Sequence, residues 1–178
     1  GASRCTTDGL RLRPLSVDEL FHYGQANTDA APIPAVQPSG PTTCLSSQSP
    51  FIAAKAANMP ALLARQEITA PNGLFVMLPQ QHLLFYAPAD PNNISAQLHS
   101  LVDFVRFPII DAQTNNPHRA LSRDIFYYSP DGTLDAITRA DDPDVQELLS
   151  NPHISSTNYH VSVQKYLSPA FEQRFFSH

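Results

Sequence analysis

The sequence predicts an α+β domain: a mainly antiparallel sheet of about five strands, built from two hairpins, with helices packed mainly on one face. Three observations predict it. The segment from Asn72 to Phe107 reads as strand, turn, strand and capped helix without a break in pattern. A second hairpin follows around the tetrapeptide Ser129-Pro130-Asp131-Gly132. The helical stretches between and around them carry apolar residues on one face.

The elements can be justified in chain order. In the segment Leu10 to Tyr23, Ser16 and Glu19 have the spacing of a capping box, and Leu20, Phe21 and Tyr23 give a short helix something to bury. Gly24 is expected to end it. From Gln25 to Pro50 the prolines at 32, 34, 38, 41 and 50 predict a long loop, because proline lacks an N–H and fixes φ. Pro50 to Gln66 predicts an alanine-rich helix capped by Ser49, with Pro60 splitting it near Met59.

Leu74–Leu78 and His82–Tyr86 are apolar runs joined through Pro79, Gln80 and Gln81. Leu74–Leu78 and Leu83–Ala87 are apolar on their two faces, so they should be central strands covered from both sides. The helix after them places Ile94, Leu98, Leu101, Val102 and Val105 on one face. Pro108 to Ser122 reads as loop. Asp124–Tyr128 and Thr133–Thr138 are the strands of the second hairpin. A short helix starting at Asp141 or Asp142, a one-face strand at Tyr159–Gln164, and a terminal helix from Ser168-Pro169 complete the chain. Phe171, Phe175 and Phe176 are the inward candidates of that last helix. Residues 1–50 and the core at 51–178 are read as parts of one domain, as the 178-residue length suits.

Charge and composition exclude several functions. The formal net charge is −5, with 11 Lys and Arg residues, no basic cluster, and lysine only at Lys55 and Lys165. Nucleic acid is not an expected partner, since backbone binding needs several cations on one surface. No run reaches the roughly 20 apolar residues that span a bilayer, so no membrane span is expected. The six glycines form neither a P-loop nor GxGxxG, and there is no GxSxG elbow. The seven histidines make no zinc spacing, and the run with Asp135, Asp141, Asp142 and Asp144 lacks the glycine and the spacing of a calcium loop. No cofactor and no metal are therefore expected.

Two cysteines remain, Cys5 and Cys44. A disulfide between them would staple the proline-rich segment to the N-terminus and would place the chain in an oxidising compartment. Few lysines and many Ala, Pro, Gln and Ser residues point the same way, toward a bacterial protein that is periplasmic or secreted, with the cytoplasm as alternative. The function expected on these grounds is non-enzymatic: a domain that binds another protein, as an exported accessory, adaptor or immunity-type protein does. Tyr127 and Tyr128, flanked by Arg119 and Arg123, are the candidate binding residues, because Tyr and Arg anchor protein interfaces. The alternative is a hydrolase or transferase with Cys44 as nucleophile and His82, His99 or His160 as base, His99 sharing a helix face with Asp103 four residues on.

Overall fold

The computed structural model describes residues 16–102, 104, 121–122, 124–138 and 169–176. Its frame is a six-stranded antiparallel sheet of order β1-β2-β4-β3-β5-β6. The strands are β1 Ala35–Ser39, β2 Thr42–Ser46, β3 Leu74–Gln80, β4 Leu83–Pro88, β5 Ile125–Tyr128 and β6 Leu134–Ala136. The helices are α1 Val17–Ala30, α2 Met59–Arg65 preceded by a 3-10 turn at Ala53–Asn58, α3 at 94–102, and α4 Pro169–Phe176. The α+β class and both expected hairpins are present.

The middle strands explain the layering. In β3, Phe75 and Met77 point to one face and Leu74 and Val76 to the other, and all four are fully buried. The first face packs against Ile94, Leu98, Leu101 and Val102 of α3 and Phe171 of α4. The opposite face packs against Ile52, Ala56, Met59 and Leu62 of the 3-10 turn and α2. Helices thus cover both faces, which corrects the expectation of helices mainly on one. The cause is in the strands themselves: a strand with no polar face must be covered twice. Each such side chain taken out of water contributes about 1.5–3 kcal/mol.

The stretch read as a long proline loop holds ordered structure. Its first residues continue α1, and β1 and β2 form a further hairpin around Gly40-Pro41, a two-residue connection. Pro38 sits in β1 at the sheet edge, where a missing N–H can face outward. In α1 the predicted capping box is present: Glu19 N donates to Ser16 Oγ at 3.1 Å and Ser16 N to Glu19 Oε2 at 2.9 Å. The helix does not stop at Gly24 but runs to Ala30.

Other expectations shift by a residue or two. Pro60 does break the helix around Met59, but the half before it is 3-10 rather than α, and Asn58 rather than Ser49 caps α2, its Oδ1 accepting from Ala61 N at 3.4 Å. The β3–β4 turn lies at Gln81-His82, because Pro79 and Gln80 belong to β3 across a register shift. The Ser129–Gly132 turn closes as predicted: Gly132 adopts φ +95° and donates to Ser129 O at 3.0 Å. Phe171 is buried and Phe175 half-buried, whereas Phe176 is exposed. The readings at 105–120, the helix at Asp141 or Asp142 and the strand at Tyr159–Gln164 lie outside the described residues.

Candidate functional site

Helix α1 is the element the core does not explain. None of its residues is buried. Val17 is 65% exposed, Leu20 56%, Phe21 75% and Tyr23 56%. Val17, Leu20, Phe21, Gly24, Gln25 and Thr28 recur at helical spacing and line one shallow groove. At Gly24 the space where a side chain would stand has no heavy atom within 4 Å. Val17, Leu20 and Phe21 thus form an apolar stripe open to water, which makes this face the candidate site.

What holds the helix is a clamp on its C-terminal end. The last turn of a helix leaves carbonyls without partners, and here a buried lysine takes them. Lys55 Nζ donates to Thr28 O at 2.5 Å, Ala31 O at 2.8 Å and Asp29 O at 3.4 Å. The Arg65 guanidinium donates to the same Asp29 carbonyl. The Asp29 carboxylate accepts from Asn58 Nδ2 and Gln25 Nε2, both at 2.7 Å. Lys55 is 2% exposed. Burial lowers its pKa, the neighbouring Arg65 lowers it further, and Asp29 opposes both. Cations at this end also complement the helix dipole.

A 14-residue helix is marginal alone in water, so the clamp should decide its stability. Lys55→Met is expected to leave the sheet intact while amide exchange across 17–30 accelerates at least tenfold. That follows from losing bonds to a charged donor worth about 1.5–3 kcal/mol each. Hydrogen exchange read by mass spectrometry checks it; unchanged protection of α1 would contradict the clamp.

Comparison with known protein families, curated proteins and solved structures finds no match. The site therefore rests on its geometry alone.

The residues singled out from sequence fall into separate places. Tyr127 is not on an outer face: it is 5% exposed within the core under α3 and α4, its hydroxyl donating to Asn72 O at 2.6 Å. Its ring lies 5.8 Å from that of Phe75 and 5.2 Å from that of Phe171. This corrects the reading of Tyr127 as a binding residue. The alternation of β5 explains it, since Ile125 and Tyr127 share the face of Phe75 and Met77, their cross-strand partners. Tyr128 points to the other face, half-buried beside Leu134 at the outer half of the sheet. Arg119 and Arg123 lie outside the described residues.

Cys44 is a free thiol on β2, 4% exposed and packed in the core with Phe85. No disulfide with Cys5 is seen, and Cys5 lies outside the described residues. Burial raises the Cys44 pKa, the opposite of what activates a nucleophile. His99 sits half-exposed on α3, and Asp103 and His160 lie outside the described residues. The β3–β4 turn carries His82, whose buried Nδ1 has no hydrogen-bond partner. Among the described residues no group of three His, Cys, Asp or Glu side chains could hold a metal ion, and no helix is long and apolar enough to cross a membrane.

The thiol gives a simple check. Native protein incubated with iodoacetamide at mildly alkaline pH is expected to leave Cys44 unlabelled over a time that fully labels it in denaturant. Rapid labelling of the folded chain would mark an activated thiol and revive the nucleophile reading.

Sequence reasoning missed the clamp and the exposure of α1. The apolar positions of α1 were legible, but an amphipathic stripe reads the same whether its cover is the core or another molecule. Lys55 lies 24 or more residues from the carbonyls it binds, and nothing local announces the pairing.

Proposed function

We propose that this protein is a non-enzymatic binding domain that engages protein through the apolar face of α1. The observation that carries the reading is the exposure of Val17, Leu20 and Phe21 on a helix whose C-terminal end is held by Lys55. An amphipathic helix presented this way suits helix-in-groove recognition, with anchors at i, i+3, i+4 and i+7. The free helix is already formed and capped, so little ordering entropy is lost on docking. The Tyr128 surface is a weaker candidate, because its aromatic neighbours are half-buried against the sheet.

The test is the double substitution Leu20→Ser with Phe21→Ser. Neither side chain is buried, so the melting temperature should stay close to that of the parent. In native gels of extract from cells producing the protein, the parent should migrate as a larger species and the double variant as the free chain. Identical migration of the two would contradict the proposal.

A further inference from the structure

We propose that the cavity between the β5–β6 hairpin and α4 binds a free amino acid with a compact aliphatic side chain. Arg174 takes its carboxylate, and Asp131 and Asp135 take its ammonium. The site shares no residue with α1 and does not depend on the reading of that helix.

The hairpin builds one wall. Tyr127 and Asp135 are cross-strand partners, so their side chains leave the same face of the sheet, and alternation puts Ile137 there too. Helix α4 supplies the other wall through Phe171 and Arg174, which lie three residues apart and so on one side of the helix. The space between has a volume of about 180 Å³. Its floor is apolar and fixed: Tyr127, Ile137 and Phe171 are all buried, and the two rings pack edge to face.

The rim carries charges of both signs that no described residue satisfies. The Arg174 guanidinium lies over the Tyr127 ring, 5.8 Å from its centroid, and donates no hydrogen bond among the described residues. Its planar fork of donors matches a carboxylate. Asp131 Oδ1 accepts from Ser129 Oγ, from Thr133 Oγ1 at 3.0 Å and from Thr133 N at 3.2 Å. These bonds, with Arg174 nearby, hold its pKa below the usual carboxylate value and keep it ionised. Asp131 Oδ2 and the carboxylate of exposed Asp135 accept no hydrogen bond from the described residues.

This mixture of charges selects the ligand. A simple anion drawn to Arg174 would also meet two carboxylates, and a simple cation drawn to the carboxylates would meet Arg174. Each is discriminated against by the like charge in the same site. A molecule with an ammonium and a carboxylate on one carbon satisfies both. Size agrees, because the cavity is smaller than the about 300–1,000 Å³ of drug-sized sites. A short aliphatic side chain then lies on the floor of Tyr127, Ile137 and Phe171.

Titration of the intact, isotope-labelled protein with valine, followed by NMR, tests the proposal. Isovalerate, which lacks the ammonium, and isobutylamine, which lacks the carboxylate, are the matched probes. Valine should give saturable shifts centred on 127–137 and 171–176, and each probe should bind at least tenfold more weakly. Arg174→Gln and Asp135→Asn, both at exposed positions, should leave the rest of the spectrum unchanged and weaken valine binding at least tenfold. No saturable shift with valine, shifts centred elsewhere, a probe that binds as well as valine, or undiminished binding by Arg174→Gln would each overturn the proposal.

Discussion

Replacing Leu101 by Asp is expected to unfold the protein. Leu101 is fully buried at the centre of the layer between α3 and the sheet, in one cluster with Phe75, Met77, Ile125 and Phe171. A carboxylate there would have no partner, at a cost on the order of 5 kcal/mol or more. Total stability of a domain is only about 5–15 kcal/mol. Circular dichroism should show the cooperative transition lost at ordinary temperature. Leu101→Ala should instead fold with a loss of about 2–5 kcal/mol, the range for a leucine-sized cavity. A folded Leu101→Asp protein of parental stability would overturn the packing of α3 on the sheet.

Gly73→Ala carries the second large effect. Gly73 precedes β3 at φ +91°, a conformation that side chains rarely adopt. A Cβ there would stand 2.6 Å from Cε2 of the Tyr127 ring. That ring cannot retreat easily: its hydroxyl is bonded to Asn72 O, and Phe75, Phe171 and Phe175 surround it. Backbone strain of about 1–2 kcal/mol adds to overpacking of about 1–3 kcal/mol. A loss near 3 kcal/mol corresponds to a fall in Tm of roughly 6–12 °C for a chain of this size. In a Tyr127→Ala background the same substitution should cost only the backbone part, so a double-mutant cycle should reveal coupling of about 1–3 kcal/mol. Additive effects would show that the ring and the glycine do not meet.

The same tyrosine shows how far the sequence could be read. That β5 alternates was legible, and so was one side being core. Which side was core depends on β5 pairing with β3, so that Tyr127 falls opposite Phe75. Pairing partners separated by about fifty residues leave no local trace. The β3–β4–α3 unit, by contrast, was readable because periodicity, turn residues and burial all agree within one continuous segment.

The prolines misled for a specific reason. They exclude helix and central strand, but not an edge strand, and β1 is an edge. Gly24 misled similarly. A glycine inside a helix costs about 1 kcal/mol against alanine, and the clamp from Lys55 and Arg65 on the final turn offsets it. In α1 the glycine is better understood as a notch than as a stop.

The central claim is that the apolar face of α1 is where this domain meets protein. Site-specific photo-cross-linking tests it most directly, with benzoylphenylalanine at position 21 and, as control, at position 36. Val36 is also half-exposed, on the edge strand β1. The account predicts discrete protein adducts from position 21 and none from position 36. Absence of adducts from position 21, or the same adducts from both positions, would contradict it.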